Sequence, residues 1–220
     1  MPLAIPHSSL ILYLASASPG KLREFQSAAR PLGIEVRVLP GFCQLAPCVE
    51  DGATFEENAR KKALRYSAFT KQLIFADDSG ICVDALNGAP GVLSARFAGP
   101  EANNQANNEK LLSEFSRVEA GLKPASTSRA AHYVCVIALA QGGRILALVE
   151  GRVDGTITDT PRGSGGFGYD PYFYYPPLGK TFAEISAAEK FAVSHRGQAF
   201  RKLLDFLKSE LSPPAASRPL

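Results

Sequence analysis

The chain has 220 residues, of which 45% are hydrophobic and 20% charged, and a net charge of +3. That length allows one large domain or a two-lobed one with a sizeable core, and the composition is ordinary for a globular protein. The positive excess is too small to indicate nucleic acid as a partner, and no run reaches the ~18 apolar residues of a membrane span.

Cys43, Cys48, Cys82 and Cys135 form no C-x-x-C pair and no zinc spacing, which points to reduced thiols in a cytoplasmic protein. Ala15-Ser16-Ala17 follows an apolar run and looks like a leader cleavage site. No Lys or Arg precedes it, so the charged start of a leader is missing. Residues 1–8 and the proline-containing 212–220 read as flexible tails of one domain spanning 1–220.

Leu10 to Ala15 is predicted as a first strand. Ser16-Ala17-Ser18-Pro19-Gly20-Lys21 then opens a helix, with Ser18 as N-cap and Pro19 at the first helical position. Leu22, Phe25 and Ala29 share the face that would pack on a sheet. A strand, a turn of small residues and a helix start with a lysine make an anion-binding geometry. Lys21 faces the positive end of the helix dipole, a mild penalty unless an anion is present.

Ile34 to Val38 alternates as a second strand, and Glu50-Asp51-Gly52 lies in the loop after it. Thr54-Phe55-Glu56-Glu57 has the pattern of a capping box, which assigns Glu57 to the helix start and favours Glu50 over it as a metal ligand. Asn58 and Lys62 are four apart and share a helix face.

Leu73 to Ala76 reads as a buried strand that ends in Asp77-Asp78-Ser79-Gly80. Acids at a strand exit sit where a sheet presents groups to a crevice. With strand geometry the two carboxylates point to opposite faces and could serve different tasks, one holding a metal and one taking a proton from water. The plain alternative is a turn, since Asp, Ser and Gly are turn residues.

A punctuated loop from Leu86 to Gly91 leads through Ser94-Ala95-Arg96 to a helix around Asn103 to Phe115. Tyr133 to Ala140 and Arg144 to Glu150, split by Gln141-Gly142-Gly143, give a hairpin whose second strand continues through Val153 to Ile157. Gly163-Ser164-Gly165-Gly166-Phe167-Gly168-Tyr169-Asp170-Pro171 is glycine-rich enough for backbone to approach a ligand, with an aromatic that could stack on a flat ring. Lys190 and Ser194-His195-Arg196 precede a last helix running to about Leu211, capped by Ser194. His195 and Arg196 then form a cationic group at a helix start, suited to an anion or a carbonyl oxygen.

Taken in order, these blocks resemble the non-canonical purine nucleoside triphosphate pyrophosphatases, also called inosine triphosphate pyrophosphatases or XTP/dITP diphosphatases. They are Leu14-Ala15-Ser16 through Gly20-Lys21; Glu50 through Asn58-Ala59 with Lys62-Ala63; Ala76 to Gly80 through Pro90-Gly91 and Ser94-Ala95-Arg96; Gly166 to Pro171; and Glu189-Lys190 with Ser194-His195-Arg196. The resemblance spans roughly Leu10 to Leu207. It implies a two-lobed α/β fold with a long central mixed sheet flanked by helices, an active-site cleft between the lobes, and a homodimer. The implied reaction turns a triphosphate such as ITP, dITP or XTP and water into the monophosphate and pyrophosphate, with Mg²⁺. By the same resemblance Glu50 and Asp78 hold the metal with Asp77 close by, and Asp78 is the proton acceptor. Lys21 and Lys62 meet the triphosphate. Ser16, Ala17, Ser18, Pro19, Gly20 and Ser79 are further substrate-binding residues. Phe167, Gly168, Tyr169, Asp170, Lys190, His195 and Arg196 form the base pocket, with Phe167 stacking on the ring.

The family usually carries asparagine where this chain has Ser18, followed here by Pro19. Leu14 to Pro19 instead resembles the opening of the Maf family, related pyrophosphatases of pyrimidine or modified triphosphates. Gly20-Lys21 stands where the Maf signature has two arginines. A nucleotide-binding protein without catalysis is a third reading, and the intact Asp77-Asp78 pair counts against it.

Overall fold

The computed structural model describes residues 10–121 and 128–211. The two tails and most of the loop between Glu119 and Arg129 lie outside those residues. No helix among them is long and apolar enough to cross a membrane.

A seven-stranded sheet runs through the molecule in the order β2-β1-β3-β4-β5-β6-β7. β1 (Ile11–Leu14) pairs in parallel with β2 (Glu35–Val38) and β3 (Ile74–Val83). β3 pairs antiparallel with β4 (Ala130–Gln141), and β4 with β5 (Arg144–Ile157), so the sheet is mixed as expected. The short β6 (Phe173–Tyr175) and β7 (Lys180–Thr181) finish it.

Helices cover both faces. On one face α1 (Pro19–Ala29) and α5 (His195–Leu211) bury Phe25, Ala29, Phe200, Leu203, Leu204 and Leu207 against Leu12, Phe75, Ile137 and Leu139. Phe25 meets Phe75 edge-on at 5.0 Å and Phe200 at 4.9 Å, adding aromatic contact to the apolar burial. Further along the same face α3 (Asn104–Glu119) joins Ile81, Val83, Tyr133, Phe173 and Phe182 in a second core. On the opposite face α2 (Phe55–Ser67) packs Ala59, Ala63 and Tyr66 onto Ile74, Ala76, Val136 and Ala138. The small alanines bring α2 close to the sheet. Between the first two cores the strands carry polar residues, and the site lies there. A short α4 (Ala187–Val193), capped by Ser186 and Glu189, precedes α5 and was not anticipated.

Two expectations need correction. Asp77-Asp78-Ser79-Gly80 is neither a turn nor a strand end. It is the middle of the ten-residue β3, each residue paired with β4 from Ile137 to Val134. Pairing along the whole length of β4 overrides local turn preference. The box at Thr54 is also altered: Thr54 Oγ1 accepts the Glu57 N–H at 3.1 Å, but the Glu57 carboxylate accepts from Ala53 N–H rather than from Thr54. Glu57 still serves the helix start.

Candidate active site

β1 stops at Leu14 and pairs with β3 only at Ile74 and Phe75. Beyond that point the edge of β3 has no strand beside it until Cys82 bridges to Pro90. A cavity of about 740 Å³ opens along this edge and reaches around both faces of the sheet. That volume suits a ligand of nucleotide size. The Ser16–Lys21 turn closes one end, and Ser18 caps α1 by accepting the Lys21 N–H at 3.4 Å. The 3-10 turn Gly91–Arg96 forms the far wall. It sits so tightly on β3 that a Cβ on Gly80 would fall 2.3 Å from Ser94 Oγ and 2.4 Å from the Gly91 carbonyl. Only glycine permits that approach.

Alternation along β3 separates the two aspartates. Asp78 faces α2. Its carboxylate accepts from Asn58 Nδ2 at 3.1 Å and meets Lys62 Nζ at 3.3 Å, so the predicted Asn58–Lys62 face converges on it. Glu50 stands 3.3 Å from the same ammonium. Burial raises the Asp78 pKa above its ordinary value, and the Glu50 charge adds to the rise. Lys62 and Asn58 oppose it without overcoming it. Lys62 is itself nearly buried. Burial disfavours its charge, but Asp78, Asp77 and Glu50 outweigh that and raise its pKa.

Asp77 faces the α1–α5 side and is 1% exposed. Lys21 Nζ lies 2.8 Å from its Oδ2, and Arg196 Nε 3.7 Å. Burial alone would raise its pKa, yet Lys21 and Arg196 override this and hold it at about 2. Asp77 is therefore a permanent anion, and it supplies the negative partner that Lys21 needs at the helix start. It lies on the opposite face of β3 from Asp78, and two cations meet its carboxylate.

A buried chain of charges continues from there. Arg196 donates from Nη1 to Glu24 and from Nη2 to Ser79 Oγ at 3.0 Å. Glu24 also accepts from Lys190 at 3.0 Å, and Lys190 donates to Asp170 Oδ2 at 2.6 Å. The same Asp170 oxygen accepts the Phe167 N–H at 2.7 Å. Burial would raise the Glu24 pKa, but Arg196 and Lys190 bring it below the ordinary value. For Asp170 burial prevails over Lys190 and the pKa is raised. The Phe167 ring lies 4.8 Å from Lys190 Nζ and 5.3 Å from the Arg196 guanidinium carbon. Its other neighbour is Gly20, where a Cβ would come within 3.0 Å of the ring.

His195 departs from expectation. It is 2% exposed, and its ring stacks on Tyr133 at 4.5 Å and 6°. Burial, then Arg196 and Lys190, lower its pKa well below the usual histidine value, so it is neutral rather than cationic. Its Nδ1 is buried without a hydrogen-bond partner among the described residues. Ser194 caps α5 as predicted, accepting the Gly197 N–H at 3.2 Å. Tyr169 lines the cavity but donates its hydroxyl to the Ser94 carbonyl at 2.8 Å, which ties the glycine-rich stretch to the far wall.

The cavity is lined by Ser16, Ala17, Ser18, Lys21, Glu50, Lys62, Asp78, Ser79, Phe167, Gly168, Tyr169, Asp170, Lys190, His195 and Arg196. Of the candidates, Pro19, Gly20 and Asp77 stand behind that lining. Sequence reasoning missed Glu24, although its place one turn after Lys21 on α1 was a usable signal. It also missed Tyr133, Phe42 and Tyr66 as lining residues, for which the sequence held no signal.

Residues 12–206 match the Ham1 family. A dITP/XTP pyrophosphatase of Exiguobacterium is 46% identical over 192 residues, covering 87% of this chain and 94% of the relative. One from Syntrophobacter fumaroxidans is 49% identical over 193 residues, covering 88% and 80%. Among solved structures, a HAM1 protein from Coxiella burnetii superposes with a TM-score of 0.78 at 38% identity, covering 91% of this chain and 99% of the other. With a family match over most of its length and relatives above 40% identity, the chain belongs to the Ham1 family.

Proposed function

We propose that the protein hydrolyses non-canonical purine nucleoside triphosphates, ITP, dITP and XTP, to the monophosphate and pyrophosphate. The observation that carries this is the environment of Asp78. It is a buried carboxylate with a raised pKa, flanked by Lys62 and Glu50 on the wall of a nucleotide-sized cavity. A base works best when its pKa approaches the working pH, and burial moves Asp78 in that direction. The names of the relatives support the substrate class.

In this reading Asp78 takes the proton of a water that attacks the α-phosphorus. The new P–O bond forms as the bridge to the β-phosphorus breaks and pyrophosphate leaves. Lys62 and Lys21 neutralise phosphate charge from the two faces of β3. Ser18 keeps the α1 start intact where the resemblance implies asparagine, because serine and asparagine cap helices comparably.

The residues fit Mg²⁺. No group of three or more His, Cys, Asp or Glu side chains among the described residues could hold a metal alone. Glu50 and Asp78, however, converge on one ammonium and offer hard oxygen donors. Mg²⁺ is ordinarily held by one or two carboxylates together with substrate phosphates. When bound, it would neutralise triphosphate charge and orient the α-phosphorus.

At the other end Phe167 stacks on the purine, with Asp170 fixing its backbone. A six-oxo base presents an acceptor where adenine presents a donor, and donors such as Arg196 would be left unpaired by adenine. Phe167→Ala is expected to raise KM for purine triphosphates by about 1–3 kcal/mol, the usual worth of one stacked base. Steady-state KM for ITP checks this, and an unchanged value removes Phe167 from the base site. The homodimer rests on the resemblance, and the cytoplasmic location on the spacing of the four cysteines.

A panel of triphosphates with Mg²⁺, scored separately for pyrophosphate and orthophosphate, tests the activity. Pyrophosphate from ITP, dITP and XTP with far slower turnover of ATP and GTP is expected. Orthophosphate alone, equal rates on ATP, or preference for pyrimidine triphosphates would overturn it.

A further inference from the structure

Glu50, read above as a metal ligand, stands in the long loop between β2 and α2. Its neighbour Val49 is 72% exposed. The bonds that hold this stretch to its own side come from α2: Tyr66 to the Cys48 N–H, Arg65 to the Ala46 carbonyl and Asn58 to the Gly52 N–H. None of them holds Glu50 itself. Lys62 of α2 meets the Glu50 carboxylate at 3.3 Å, and the Glu50 backbone is held from the opposite wall, where Arg96 Nη2 donates to its carbonyl oxygen at 2.8 Å.

Arg96 is well placed to act as a fixed point. The turn that carries it is pinned to β3 through Ser94 Oγ, which accepts the Ile81 N–H at 2.9 Å. Tyr169 and Asn107 hold the carbonyls of Ser94 and Ala95, the two residues before it. The carboxylate-bearing loop is thus tied across the cleft to a wall that is itself bonded to β3.

We infer that Arg96 is a positioning residue for the divalent cation: its bond to the Glu50 carbonyl holds the Glu50 carboxylate in convergence with Asp78 and Lys62. This rests on the proposed metal role of Glu50. Groups that orient a metal ligand typically matter by 10–100-fold in metal affinity. Arginine suits the task because its planar fork can reach a carbonyl with fixed direction, which a lysine ammonium does not reproduce.

The test is direct binding of Mn²⁺ to the full chain, followed by electron paramagnetic resonance without turnover, on wild type, Arg96→Ala, Arg96→Lys and Glu50→Ala. Both Arg96 variants are expected to bind Mn²⁺ about tenfold more weakly or worse. Their Mg²⁺ half-saturation in turnover should rise in parallel, and kcat should recover at high Mg²⁺. If Arg96→Lys binds like wild type, Arg96 acts only as a charge and the positioning role is wrong. If Glu50→Ala weakens Mn²⁺ and neither Arg96 variant does, the inference fails while the metal reading stands. If Glu50→Ala binds normally, the metal reading fails and takes this inference with it. Should Arg96→Ala not fold, Arg96→Lys alone decides.

Discussion

Asp78→Asn is expected to abolish turnover while leaving the protein folded. The amide has nearly the same shape, and its oxygen can still accept from Asn58 or Lys62, the partners Asp78 has now. It cannot take a proton from water, and removing a general base typically costs 10²–10⁴-fold, so a loss in kcat of about 10³-fold or more is expected. The pH profile sharpens this. The wild-type rate should fall as pH drops through the Asp78 pKa, which burial and Glu50 place above the ordinary value. The residual rate of the variant should lack that limb. A wild-type rate in Asp78→Asn would show that another group is the base.

Arg196→Ala is expected to act on the fold as much as on the reaction. Arg196 is 3% exposed and serves Asp77 and Glu24 together. Removing one partner of a buried ion pair typically costs about 3–5 kcal/mol, because the other charge stays behind. Lys21 and Lys190 remain beside the two anions, which places the expectation toward the lower end. The sign of the pH dependence follows from Asp77. Its folded pKa of about 2 lies below the ordinary 3.8, so its stabilisation is complete above pH 3.8 and lost as pH falls toward 2. Without Arg196 the folded pKa moves up and that acid-labile contribution shrinks. Thermal unfolding at neutral pH and between pH 3.8 and 2 should show the gap between wild type and variant narrowing in acid. A variant as stable as wild type at neutral pH would mean that Lys21 and Lys190 suffice without Arg196. Separately, if kcat/KM for ITP and ATP fall equally, Arg196 has no part in choosing the base.

Local chemistry was legible where it is settled within one element. Ser18 and Pro19 opening α1, Asn58 and Lys62 sharing a helix face, and Ser194 capping α5 depend on neighbours a few residues away. What the sequence hid depends on distant partners. Asp77 to Gly80 looks like a turn until β4 lies along it. Lys190 and Arg196 look like free cations until Glu24, 166 and 172 residues away, is brought between them. His195 looks charged until Tyr133 and burial remove its solvent. The cleft itself follows from β1 ending early beside a longer β3, a difference in length that only the assembled sheet reveals.

The placement of Asp77 and Asp78 on one continuous strand also limits how this site can change. The two acids are next to each other in the chain but belong to different charge environments, and only the two-residue rhythm of β3 keeps them apart. A single-residue deletion before Asp77 would carry Asp78 onto the face of Lys21 and Arg196 and bring Ser79 to the position beside Asn58 and Lys62. Asp78 would then become the permanent anion, and no carboxylate would stand where the base stands now, with every chemical group still present. Such a slip in β3 would disable the enzyme without removing any of its functional groups.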